Sequence, residues 1–497
     1  MNFFENNSRV EETLDPADWN NLKKVAEQMV VDMTAYLQTI PDKPVWQKPP
    51  AEVVQHFSSG LPNEPQSLEQ VYEEFRKYIL PYNLGNVHPR FWSWVMGNGT
   101  MQGMLADMLA SGMNTNTSIG DHSPRYVDQQ VLNWCKEMMG FPESSSGLLL
   151  NGASEANLNA LIVARNTINK WIRQKGIQSL TGRLIMYAST ETHSCIQKAA
   201  EIMGIGSEGL RKVWVNENFE LDIQQLEELI EEDIAEGNIP FCVVANAGTV
   251  NTGAIDPLDE IARVCRKYKL WFHVDGAFGA LVKLLPEYED RVKAINLADS
   301  VAFDLHKWMH IQYEAAVVLV NDAGAHRHSY SLQPDYILNY ERGIAAGPEL
   351  NSNFGFDLSR GFKALKVWML LKEQGIDKFR RLIRQNIRQA AYLATLVKQA
   401  PDLELMAPAS LNIVCFRYNP GKMSRNQLNI INKEILLQLQ EQGIAAPSST
   451  FLNESYCLRV AITNHRSKKE DFETLATEVS WLGKQLAQSL KEEYLKC

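Results

Sequence analysis

Cysteine is scarce in this chain. Seven occur in 497 residues, at Cys135, Cys195, Cys242, Cys265, Cys415, Cys457 and Cys497. Their number is odd and no spacing among them matches a metal-ligand pattern, which argues against a disulfide framework or a zinc module. No apolar run is long enough to span a bilayer. The opening Met1-Asn2-Phe3-Phe4-Glu5-Asn6-Asn7 lacks the apolar stretch of a secretory signal. Positive charge is in deficit, with 49 Lys and Arg against 59 Asp and Glu and a net charge of −10. That argues against nucleic acid or an anionic membrane as partner. There is no internal repeat and no low-complexity tract. Hydrophobic content of 45% and charged content of 22% are those of a globular protein. The expectation is a soluble, cytoplasmic chain, long enough to bury a large core.

What is present is an alternation of apolar runs and helical patterns. Asp15-Pro16 reads as N-cap and first position of a helix, followed at helical spacing by Trp19, Leu22, Val25, Met29, Val30, Met33 and Leu37. A proline-rich linker spans Pro41 to Pro65, and a helical stretch lies around Leu68–Ile79. Strands are expected at 147–151, 183–189, 211–215, 241–247, 270–275, 300–304 and 315–320. Helices are expected near 155–173, 194–203, 222–235, 257–268 and 288–297. This order predicts a mainly parallel sheet covered on both faces, with ligands beyond the strand C-termini. Residues 323–358, rich in Gly and Tyr, read as a long, partly mobile segment. Helical pattern returns from Arg360, and mixed strands and helices from about 402 predict an α+β cap. The expected division is a helical segment 1–80, a large domain 81–375 and a small α+β domain 376–497.

The chemistry concentrates at strand ends. Leu305-His306-Lys307-Trp308 lies between two apolar runs, so Lys307 ends a strand inside the core. A lysine there suits a Schiff base with pyridoxal phosphate (PLP). Such a cofactor needs an anion beside its pyridine nitrogen, and Leu270-Trp271-Phe272-His273-Val274-Asp275 supplies one. Gly276-Ala277-Phe278-Gly279 is small enough to let a ring approach. The cofactor's phosphate needs backbone N–H groups at a helix N-terminus. Gly147 to Asn157 reads as strand, small-residue turn and helix, with Ser154 as an N-cap. His193, just after a strand, is the candidate ring to cover the cofactor.

These segments resemble the PLP-dependent group II amino-acid decarboxylases, a family that includes aromatic amino-acid and glutamate decarboxylases. The matching motifs run in the family's order from about residue 70. They are His88-Pro89-Arg90-Phe91, Asn151-Gly152-Ala153-Ser154-Glu155-Ala156-Asn157, Thr192-His193-Ser194, Ala247-Gly248-Thr249, His273-Val274-Asp275-Gly276-Ala277, His306-Lys307-Trp308 and Leu458-Arg459-Val460-Ala461-Ile462. The resemblance implies an α/β aspartate-aminotransferase-like fold (fold type I) with a seven-stranded sheet and an α+β C-terminal domain. It implies a homodimer in which the N-terminal segment packs across the interface, and decarboxylation of an L-amino acid to amine and CO2 through an external aldimine and a quinonoid. An aldehyde synthase or aminotransferase on the same scaffold is the alternative.

The resemblance also assigns roles. Lys307 holds PLP, and its pKa should be depressed for that. Asp275 pairs with the ring nitrogen, His193 and Ala277 cover the two ring faces, and Ala153 and Ser154 hold the phosphate. Thr249 lies near the ring, and His306 near the phosphate or substrate. The family often has Asn-Pro where this chain has Asp304-Leu305, so a phosphate contact is not carried onto Asp304. Arg459 is expected on the substrate α-carboxylate, with Trp94 and Asn116 at the substrate side. Tyr340, or its rival Tyr336, is the expected proton donor to the substrate carbon.

Overall fold

The apolar runs become seven strands of one sheet. After a two-residue strand β1 (Phe91–Trp92) these are β2 (Ser146–Leu150), β3 (Leu184–Ser189), β4 (Leu210–Val213), β5 (Ile239–Asn246), β6 (Trp271–Asp275), β7 (Ser300–Asp304) and β8 (Ala316–Val320). The computed structural model describes residues 12–332 and 340–494. The sheet order is β2-β8-β7-β6-β5-β3-β4. Only β8 runs against its neighbours. Every residue of β3, β7 and β8 is buried. Strands covered on both faces select apolar side chains throughout, so they read as unbroken runs rather than alternation.

Helices Ala153–Ile168, Ser194–Ile202, Ile223–Ala235 and Leu258–Tyr268 connect these strands. Leu258, Ile261, Ala262 and Cys265 form the buried stripe of the last of them, at the spacing of one helix face. The common strand direction brings the ends of β2, β3, β5, β6 and β7 to one edge. Leu150, Ser189, Asn246, Asp275 and Asp304 end there.

The second sheet holds β1, β9 (Leu403–Leu405), β10 (Ile413–Tyr418), β11 (Ala446–Leu452) and β12 (Ser455–Ala461), in the order β1-β11-β12-β10-β9. It is antiparallel except where β1 lies parallel to β11. Helices Ile376–Gln399, Arg425–Glu441 and Lys469–Tyr494 pack on it, around Leu393, Phe416, Ile435, Leu458 and Phe472. This is the expected α+β unit. Among the described residues no helix is long and apolar enough to cross a membrane.

Three local expectations need correction. The first helix spans Trp19–Thr39, and its N-cap is Asp18, which accepts from the N–H groups of Asn20 and Asn21. Asp18 reaches those amides, whereas Asp15 lies a turn too early. Ser154 is not an N-cap either. Gly152 holds that position in extended backbone, and Ser154 is the second helical residue. The stretch from 323 opens with a helix, Ala323–Tyr330, because the Asp322 side chain caps the amide of Ala325.

Candidate active site

Lys307 lies in a single helical turn, Leu305–Trp308, directly after β7. Asp275 is the last residue of β6, one strand away. His193 is the N-cap of the helix after β3, its Nδ1 accepting from the amide of Cys195 at 3.2 Å. Ala153 and Ser154 begin the helix after β2. One cavity of about 420 Å³ gathers all of these, with Ala277, His306 and Arg459, and is walled by Trp94, Val95, Met96, Phe278 and Tyr313. A Cβ built on Gly152 would meet no atom within 4 Å. The amides of Ala153 and Ser154, at the start of that helix, have no intrahelical carbonyl to bond, and both residues line the cavity.

The charges in this cavity set one another. Burial pulls the ammonium of Lys307 down, but Asp304 and then Asp275 more than offset it, and it stands above its ordinary value. A Schiff-base lysine is expected to be depressed instead. The difference is Asp304, whose Oδ2 lies 2.8 Å from Lys307 Nζ. Burial pushes the carboxyl of Asp275 up, while Lys307, His193 and the amide of Ala277 pull it down. Loss of surrounding water holds His193 below its ordinary value, although the residue itself remains open to the cavity. Burial likewise lowers His306, whose Nδ1 accepts from the amide of Ala315 at 3.2 Å and whose ring lies 4.5 Å from that of Tyr313.

Behind Asp275 runs a chain of hydrogen bonds that the sequence reading does not include. Trp271 Nε1 donates to Ser300 Oγ at 2.8 Å, and Ser300 Oγ lies 2.8 Å from His273 Nδ1. His273 Nε2 lies 2.8 Å from Asn157 Oδ1, and Asn157 Nδ2 donates to Asp275 Oδ2 at 3.0 Å. An amide oxygen only accepts, so His273 carries its proton on Nε2 and accepts at Nδ1 from Ser300. Every donor then points toward Asp275. Burial drives His273 down to about 3, so it is neutral. Asn157 and His273 both lie within the quoted motifs, but their pairing crosses 116 residues of sequence and shows no spacing signal. Tyr313 was missed for a simpler reason: it stands outside every motif.

Arg459 is 4% exposed and lines the cavity. Its Nε donates to Asn251 O, its Nη1 to Trp94 O and Ser448 Oγ, and its Nη2 to Val250 O. No carboxylate pairs with it among the described residues. Three other expected residues do not line the cavity. Thr249 spends its hydroxyl inside its own turn, accepting from the amide of Ala254 and meeting Thr252 Oγ1 at 3.1 Å. Asn116 braces a loop, its Oδ1 accepting from the amides of Ser118 and Arg360. Tyr340 is 60% exposed, with its amide bonded to Ala345 O. Tyr336 lies outside the described residues.

This residue set fits PLP. It offers a lysine amine for the aldehyde, a desolvated carboxyl that a cationic ring nitrogen would satisfy, and open helix amides with the Ser154 hydroxyl for the phosphate. Comparison with known proteins agrees. Residues 50–419 match the pyridoxal-dependent decarboxylase conserved domain. An aromatic-L-amino-acid decarboxylase of Bacillus atrophaeus is 30% identical over 479 residues, covering 95% of this chain and 97% of the relative. A phenylacetaldehyde synthase of Arabidopsis thaliana is 30% identical, covering 94% and 98%. The Oryza sativa TDC solved with PLP and tryptamine superposes with a TM-score of 0.87, at 22% identity, over 95% of this chain and 100% of that one. The chain therefore belongs to the pyridoxal-dependent decarboxylase family, whose members are PLP-dependent carboxy-lyases.

Proposed function

We propose that this protein removes CO2 from an L-amino acid with an uncharged aromatic side chain, giving the amine. The observation that carries this is the convergence of Lys307, Asp275, His193 and Arg459 on one cavity walled by Trp94, Val95, Met96 and Tyr313. PLP, when bound, takes up the electron pair left by the departing carboxylate. Lys307 is the residue that holds it covalently. Asp275 would face its ring nitrogen, His193 and Ala277 would lie against the ring, and Ala153 and Ser154 would hold its phosphate.

Arg459 orients the substrate α-carboxylate. Three backbone carbonyls and the Ser448 hydroxyl occupy four of its five N–H groups, leaving one on Nη2 and an uncompensated charge. The other basic groups on the cavity wall are Lys307 and the histidines His193 and His306, and burial favours the neutral form of both histidines. With Lys307 and His193 committed to the cofactor, an acidic substrate side chain would lack a counter-charge. The apolar wall instead matches an aromatic ring, as the names of the similar decarboxylases suggest.

The proposal extends to a homodimer. Leu14, Trp19, Val31, Phe57 and Val71 in the first 80 residues are exposed, as are Met108, Leu109 and Met113 of helix Met101–Met113. A monomer seldom leaves so many large apolar groups in water.

The test is CO2 release assayed against amino acids one at a time, with products identified. Amine from an aromatic amino acid is expected, and release only from an acidic one would overturn the substrate assignment. Aldehyde in place of amine would favour the alternative reading, which the similarity to the phenylacetaldehyde synthase supports.

A further inference from the structure

Asp304 ends β7 at the floor of the cavity and is 1% exposed. Its Oδ2 contacts Lys307 Nζ at 2.8 Å and lies 3.8 Å from His306 Nε2. Its Oδ1 is buried without a hydrogen-bond partner. A buried carboxylate oxygen left bare is costly unless the group has a charge to face. The charge here is Lys307. The other titratable groups around the pair are Asp275 from the end of β6, His193 from the helix after β3, His306 beside it, and Tyr313 ahead of β8. Asp275 accepts from Asn157 at Oδ2 and from the amide of Ala277 at Oδ1, whereas the ion pair of Lys307 Nζ is made with Asp304. Asp304 is the group in hydrogen-bond contact with Nζ.

We propose that Asp304 is the counter-ion that keeps Lys307 protonated while its amine is free. This assigns a positioning role to a carboxylate standing where the family often has asparagine, and it rests on the reading that Lys307 holds PLP. An ammonium has no lone pair and cannot attack an aldehyde. Before it reacts, Lys307 must give a proton to solvent or to Asp304 Oδ2. In the latter case the +1 and −1 charges become a neutral amine and a neutral acid. Asp304 therefore sets the pH range over which the free lysine captures the cofactor, and it favours release of Lys307 as an ammonium when a substrate amine displaces it.

The test uses the full-length protein stripped of cofactor. Wild type, Asp304→Asn and Asp304→Glu are mixed with PLP at a series of pH values. The rate of capture is followed by absorbance, and the labelled lysine is located by borohydride reduction and peptide mapping. Asp304→Asn should move the midpoint of the pH–rate curve down by about one to three units, the range for loss of an opposite charge within contact distance. Capture below the wild-type midpoint should rise about tenfold per unit of that shift. Asp304→Glu keeps the anion and should stay nearer wild type. If Asp304→Asn does not fold, Asp304→Ser carries the same expectation. Label at Lys307 with an unmoved midpoint overturns this inference alone. Label on a different lysine in the wild type overturns the proposed function with it.

Discussion

Asn157 donates its side-chain amide to Asp275 at 3.0 Å, and it is itself fixed by His273 on its other side. Asn157 and His273 are both fully buried, so neither can exchange this bond for water. The pair keeps a neutral donor on the carboxylate proposed to face the cofactor ring. Asn157→Leu preserves approximate volume and removes that donor. A hydrogen bond to a charged group contributes about 1.5–3 kcal/mol, so turnover should fall roughly 10- to 100-fold. Borohydride should still trap PLP on Lys307. Steady-state kinetics with peptide mapping checks both, and unchanged turnover would show that the relay only supports the fold.

Asp275→Asn should cost more than loss of its partner, by several orders of magnitude in rate, with the fold intact. The carboxylate sits 5% exposed at the end of β6, and an amide cannot stabilise a protonated ring nitrogen. Turnover near wild type with a native circular dichroism spectrum would place the ring elsewhere in the cavity.

His326 gives a pH signature distant from the chemistry. It is fully buried between Ser146 Oγ at 2.8 Å and Asn159 Oδ1 at 2.9 Å, and burial lowers it from 6.5 to about 4. Between those values the unfolded chain carries a proton that the folded chain lacks. The stability that His326 contributes is therefore whole above about 6.5 and falls as the pH drops toward 4, by about 1.4 kcal/mol per unit. His326→Gln should be the less stable protein at pH 7, and the gap should narrow at that slope on acidification. Urea unfolding of both proteins at pH 7, 6 and 5 measures it, and a gap independent of pH would contradict a neutral buried imidazole.

The exposed apolar groups of the first 80 residues and of helix Met101–Met113 predict a dimer in solution, at twice the chain mass of 56.3 kDa. Sedimentation should show that species at working concentration. A fully active monomer would mean that the apolar surface serves another end.

Much of the large sheet was legible because its strands are covered on both faces. The expected strand at 300–304 coincides with β7, and that at 147–151 differs by one residue from β2. Lys307, Asp275 and His193 were legible for a related reason, since parallel strands deliver their ends to one edge. Arg459 was visible as a motif, but its bonds to three backbone carbonyls were not, because those come from loops distant in sequence. Thr249 and Asn116 show the limit of motif position: a hydroxyl or amide can satisfy its own turn and never face the cavity. Helix Ile376–Gln399 was not delimited because its N-cap is Gly375, with no side-chain hydrogen bond to mark it. β1 has two residues and offers no period at all.

The proton that completes an amine product must reach the substrate carbon from a nearby acid. Tyr340 and Tyr336 are the proposed donors, and within one chain the phenol of Tyr340 stands outside the cavity, 60% exposed. For it to act, the loop beside Gly343 must close over a cavity, of its own chain or of a partner. Gly343 has φ +89 and open space where a Cβ would stand, so the backbone there adopts a conformation that other residues resist. A phenol brought to the carbon while water is excluded would give amine. Tyr340→Phe should then bind PLP and substrate normally and shift the product from amine toward aldehyde, because the unprotonated carbon persists long enough to meet oxygen. If Tyr336→Phe makes that shift and Tyr340→Phe does not, the two roles are exchanged. If neither changes the product, the proton comes from a group already on the cavity wall, and His193→Gln, scored by the amine-to-aldehyde ratio, is the variant that would then reveal it.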